Sequence, residues 1–67
     1  MKIQVQSKMI DAVSYDHSTG FLRVFLSNGQ RREYENIPAD VVHGLAAAKS
    51  PGNYYVSMIR EIYPSLG

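Results

Sequence analysis

The 67-residue sequence predicts an α+β domain: a small antiparallel sheet of three to four strands in a meander, followed by two short helices packed on one face. Three observations carry this prediction. Residues 21–26, Phe-Leu-Arg-Val-Phe-Leu, are β-favouring and alternate with period two. Asn28-Gly29 follows at once as a hairpin signal. Beyond Ile37 the apolar spacing becomes helical, with start signals at Pro38 and at Ser50-Pro51.

Near the N-terminus, Ile3 and Val5 alternate with Lys2, Gln4 and Gln6, the pattern of a half-buried or edge strand. Residues 9–15 form a second strand-like run after Ser7-Lys8. The cluster Asp16-His17-Ser18-Thr19-Gly20 is a turn, because Asp and Ser side chains bond local backbone groups and Gly accepts a left-handed conformation. Residues 21–26 then place Leu22, Val24 and Leu26 on one face and Phe21, Arg23 and Phe25 on the other. Residues 30–35 return as the partner strand.

The register of this hairpin decides which side chains are buried. A two-residue Asn-Gly turn would put Arg31, Glu33 and Glu35 on the Leu22/Val24/Leu26 face, at a high desolvation cost. A three-residue loop, Ser27-Asn28-Gly29 with Gly29 left-handed, instead pairs Leu22 with Tyr34 and Arg23 with Glu33. Since a slip of one residue inverts every side chain, burial favours the three-residue loop.

Pro38 suits a first helical position, and Asp40 suits the positive end of the helix it opens. Val41, Leu45 and Ala48 are spaced as the buried stripe, with Val42 at its edge, and Gly44 either weakens the helix or instead permits close packing. Ser50 is the expected N-cap of the second helix and Pro51 its first residue. Tyr55, Met58, Ile59 and Ile62 are its expected apolar stripe, and Pro64 its stop. One core of Leu22, Val24, Leu26, Val41, Leu45, Tyr55 and Ile59 follows.

Composition narrows the functional classes. A chain this short buries only about 60% of the surface its unfolded form exposes. With no cysteine and only His17 and His43, neither a disulfide nor a self-sufficient metal cage is expected, and no cofactor is. The net charge of +1 lacks the basic excess of a dedicated nucleic-acid binder, and Arg31-Arg32 is the only adjacent basic pair. No run approaches the roughly 18 apolar residues of a membrane span. The expectation is a single cytoplasmic domain over residues 1–67, with no membrane association.

Read as a pattern, residues 7–64 resemble the KTSC domain, a small domain named for its occurrence at the C-terminus of some lysyl-tRNA synthetases. It also occurs as stand-alone bacterial and phage proteins. The resemblance is carried by Tyr15-Asp16 with Thr19-Gly20, Leu22-x-Val24-x-Leu26, Asn28-Gly29, and Tyr34 with Ile37-Pro38. It continues through Ala46-Ala47-Ala48, Ser50-Pro51-Gly52-x-Tyr54-Tyr55, Ile59-Arg60 and Tyr63-Pro64. Where the family has Tyr-x-Tyr, this chain reads Arg32-Glu33-Tyr34. The synthetase context implies RNA binding.

Candidate ligand-binding residues are Arg23, Phe25, Arg32, Tyr34, Tyr54 and Arg60. Arginines match phosphate bidentately and aromatic rings stack on bases. Phe21 and Phe25 are expected on the sheet face away from the helices, either exposed for a ligand or partner, including a second copy, or covered by Ile3 and Val5. The N-terminus of the Ser50-Pro51 helix is a weaker anion site. Catalysis is not expected: Asp16-His17 are adjacent and do not converge on a nucleophile, and so short a chain scarcely holds base, nucleophile and oxyanion donors together. Two functional readings follow. One is a non-catalytic binding module for RNA or a nucleotide-like ligand. The other is a protein–protein interaction module, such as a small phage-encoded protein that engages a host factor or sequesters a host signalling molecule.

Overall fold

A computed structural model describes residues 2–66; Met1 and Gly67, the ends of the expected domain, lie outside the described residues. Four strands, β1 (Lys2–Ile3), β2 (Ile10–Asp16), β3 (Phe21–Leu26) and β4 (Arg31–Tyr34), form an antiparallel meander in the order β1-β2-β3-β4. Helices α1 (Ala39–Ala47) and α2 (Pro51–Tyr55) follow, and α2 runs directly into a π-helical turn, Val56–Arg60. Among the described residues no helix is long and apolar enough to cross a membrane.

The β3–β4 hairpin has the three-residue loop. Leu22 pairs with Tyr34, Arg23 with Glu33, Val24 with Arg32 and Phe25 with Arg31. The Leu26 N–H donates to the Gln30 carbonyl at 2.8 Å, and Gly29 sits at φ 89°, a left-handed conformation that costs a side-chain-bearing residue about 1–2 kcal/mol. This register carries Tyr34 into the core and holds Glu33 on the opposite face, where it pairs with Arg23 at 2.7 Å.

β2 departs from simple alternation. Its register with β3 shifts between Ile10 and Ala12, so Asp11 bulges out. Ile10 and Val13, three positions apart, therefore both point inward, where a regular strand would have turned one of them out. In the β2–β3 turn the Ser18 hydroxyl and amide bond the Asp16 carboxylate and hold it below the usual aspartate range.

The core joins the sheet's inner face to both helices through Ile10, Val13, Tyr15, Leu22, Val24, Tyr34, Ile37, Val42, Leu45, Tyr55 and Ile59. Two expected members differ. Val42 is fully buried and Val41 only half-buried, and Pro38 is the N-cap of α1 and not its first helical residue. Leu26 is half-buried at the end of β3. Ile3 pairs with Val13 and packs with Val5 against this same core, so neither covers Phe21 or Phe25.

The second helix also departs from expectation. Ser50 precedes Pro51 as N-cap, but its side chain makes no capping bond; its carbonyl accepts from the Tyr54 N–H. The apolar stripe contracts to Tyr55 and Ile59, leaving Met58 41% and Ile62 58% exposed. The cause is the π-helical turn, in which the Glu61 N–H reaches back to the Val56 carbonyl at 3.1 Å, an i→i+5 bond that breaks the 3.6-residue phase. The helix ends at Arg60, short of Pro64.

Gly44 is where α1 and α2 touch. The Tyr54 hydroxyl donates to the Val41 carbonyl at 2.8 Å, and a Cβ at Gly44 would stand 2.7 Å from the Tyr54 Cζ. Gly44→Ala should therefore lower stability, against the gain of about 1 kcal/mol that the substitution normally brings to a helix. In a Tyr54→Ala background the same change should become neutral or stabilising. Denaturant melts of the four proteins measure this, and a stabilising Gly44→Ala in the wild-type background would contradict the packing described. Leu45→Ala, at the core centre, should cost about 2–5 kcal/mol in the same assay.

Candidate functional site

The same register that buries Tyr34 also places Arg32, two residues earlier on β4, on the helix-facing side of the sheet. Arg32 is half-buried, at the edge where the sheet meets the end of the π-helical turn. In an α-helix residue i+5 lies about 140° around the axis from residue i. The wider π turn brings Arg60 back towards the side of Tyr55, five residues earlier.

The result is a cleft of about 380 Å³ between the β3–β4 loop and the helix end. Arg32 and Gln30 line its sheet side, Arg60 its helix side, Ser27 and Asn28 its rim, with Met9, Leu26 and Tyr55 beneath. No carboxylate lines it. Arg32 donates to the Gln30 side-chain carbonyl at 2.8 Å and the Arg31 backbone carbonyl at 3.3 Å, leaving guanidinium N–H groups to spare. Arg60 has neither an ion pair nor a hydrogen bond through its side chain among the described residues.

Below the two arginines, the hydroxyls of Tyr34 and Tyr55 lie 2.6 Å apart, their rings edge to face with centroids at 6.2 Å. Burial, and then the bond to Tyr34, push the Tyr55 hydroxyl well above the ordinary tyrosine value, while the charges of Arg32 and Arg60 act the other way. Both arginines line the same cleft as Tyr55.

The six candidate residues divide. Arg32 and Arg60 meet in the cleft, and Tyr34 reaches it only through its hydroxyl bond to Tyr55: with 1% of its surface exposed, its ring is not available for base stacking. Arg23 and Phe25 lie on the opposite face of the sheet. There Arg23 is engaged by Glu33 and stacks over the Phe21 ring at 5.4 Å. Arg31 on that face also approaches Glu33, at 3.7 Å. Tyr54 is spent on the α1 contact. Tyr55 was legible as a core residue only; nothing in the sequence marks it as lining a cleft.

Elsewhere, His17 and His43 approach with ring centroids 6.0 Å apart, and no group of three or more potential metal ligands is found among the described residues. A second depression of about 360 Å³ lies at the start of α2 and carries Lys8 and Lys49.

The family model of the KTSC domain matches residues 6–63. The chain belongs to the KTSC domain family. The crystal structure of a KTSC domain protein from Yersinia pestis superposes with a TM-score of 0.86 at 19% sequence identity, covering 100% of this chain and 97% of that one. At that identity the likeness establishes a shared fold. No curated protein sequence matches the chain. The meander with two helices on one face is thus the KTSC architecture, and Arg32 is a cleft residue of this KTSC domain.

The Tyr55 environment has a consequence for stability. Its folded-state pKa is raised, so the unfolded chain, ionising near pH 10, releases the proton first. The stabilisation is fully present below about pH 10 and is lost as pH rises from there towards the folded-state value. Melting temperatures measured from about pH 9 to about pH 11 should fall in the wild type and fall less steeply in Tyr55→Phe. Parallel declines in the two proteins would contradict the assignment.

Proposed function

We propose that this KTSC domain is a small non-catalytic binding module that takes a phosphate-bearing ligand, RNA or nucleotide-like, in the Arg32–Arg60 cleft. One observation carries the reading: two guanidinium groups from separate elements converge on a concave site without a carboxylate to neutralise either. Elsewhere on the sheet the domain does the opposite, setting Glu33 between Arg23 and Arg31. Uncompensated arginines lining one cleft repel each other, and an anion bound between them relieves that repulsion through charge-assisted, bidentate bonds. The cleft volume also falls in the usual range for small-molecule sites, about 300–1,000 Å³.

A second reading, a protein-interaction module, is favoured by Phe21 and Phe25, half-buried on the sheet face that the helices do not cover. The simplest partner for that face is a second copy in a two-fold dimer. Light scattering over a concentration series, with Phe25→Ser as the variant, separates it from a monomer.

The test of the first reading is titration with adenosine monophosphate, inorganic phosphate and a single-stranded RNA oligonucleotide at two salt concentrations. Arg32→Ala and Arg60→Ala should each weaken binding about tenfold or more, Arg23→Ala should leave it unchanged, and affinity should fall with salt. Binding of none of these by the wild type, or equal binding by Arg32→Ala and Arg60→Ala, would end the phosphate reading.

A further inference from the structure

The paired hydroxyls of Tyr34 and Tyr55 carry two protons but form one hydrogen bond with each other. The second proton belongs to whichever oxygen accepts. Tyr34 and Tyr55 are both enclosed, each with 1% of its surface exposed, but only Tyr55 lines the cleft, and the Tyr34 hydroxyl has no partner besides Tyr55. Were Tyr55 to donate, the Tyr34 proton would be stranded without an acceptor, a costly arrangement. The favourable order is therefore Tyr34 donating to Tyr55, which makes the Tyr55 O–H the proton free to turn towards a ligand in the cleft that Tyr55 lines.

Resting on the reading of the Arg32–Arg60 cleft as a phosphate site, we infer that the cleft selects a terminal phosphate monoester on a small molecule, read by the Tyr55 hydroxyl as a neutral donor with Tyr34 as its positioning residue. Donors reach the cleft from three sides: Arg32 from the sheet, Arg60 from the helix end and Tyr55 from beneath. A phosphate monoester offers three free oxygens to three such donors. A phosphodiester within a strand offers two, and both of its ester arms must leave the site.

The surroundings favour a small ligand for independent reasons. Strand binders place aromatic rings along a basic track so that successive bases stack. Here the tyrosines beside the cleft are buried, and Phe21 and Phe25 lie on the other face. The net charge of +1 supplies no long track. The remaining walls, Gln30 and Asn28 with Met9 and Leu26, offer amide contacts and an apolar surface to the body of one compact molecule.

Calorimetric titration with adenosine monophosphate and with adenosine 3′,5′-cyclic monophosphate separates monoester from diester on the same base. Adenosine monophosphate should bind the wild type at least tenfold more tightly. Tyr55→Phe should weaken it about tenfold and shrink its advantage over the cyclic diester, and Tyr34→Phe, which leaves the Tyr55 proton free to turn away, should weaken it a few-fold. Equal affinity for the two nucleotides in the wild type would overturn the inference whatever the stability of the variants, and so would full-strength binding by a folded Tyr55→Phe. Binding of an RNA oligonucleotide lacking terminal phosphates, without binding of the monophosphate, would overturn it while leaving the phosphate site standing. Failure of the wild type to bind either nucleotide, inorganic phosphate or RNA would remove both.

Discussion

The three-residue loop joining β3 and β4 fixes a register on which the rest of the domain depends. With Gly29 left-handed, Tyr34 faces the helices and Glu33 faces away. Tyr34 can then meet Tyr55, so the last strand is tied to the last helix through a hydroxyl pair inside the core. Arg32 follows Tyr34 to the same side. A slip of one residue would exchange Arg32 and Tyr34 for Arg31 and Glu33, putting a carboxylate among the apolar side chains and dismantling the cleft at the same stroke. Fold and candidate site are set by one constraint.

The π-helical turn supplies the complementary half. A continuous α-helix through residues 51–62 would turn Arg60 away from Tyr55 and draw Met58 and Ile62 towards the sheet. The i→i+5 bond at Val56–Glu61 leaves those two apolar residues in water and places Arg60 over the cleft. Local π geometry is rare and recurs at functional sites. Here it exchanges apolar burial for the placement of a charge.

Much of the fold was legible because burial and backbone rules agreed. Charges on one face of residues 30–35 ruled out the two-residue turn, and period two gave way to helical spacing at Pro38. Resemblance to the KTSC family pointed to the same architecture, which the family match then established. The Asp11 bulge, the one-residue shift that buries Val42, and the π turn were not legible, since each depends on tertiary packing. Of the candidate site, Arg32 and Arg60 were found by residue type alone. Grouping them with Arg23 and Phe25 failed because neighbouring strand positions face opposite sides of the sheet. Tyr55 escaped notice because a buried tyrosine and one that lines a cleft share the same sequence pattern.

In the proposed phosphate site Arg32 and Arg60 are two walls of one cleft, whereas Arg23 is held in an ion pair with Glu33. Arginine Nε–Hε correlation NMR observes all three guanidinium groups in a single spectrum. On addition of adenosine monophosphate, the Arg32 and Arg60 signals should move together along one saturation curve while Arg23, held by Glu33, stays in place. Movement of Arg23 with Arg32 and Arg60 both still, or movement of either cleft arginine without the other, would contradict the shared site.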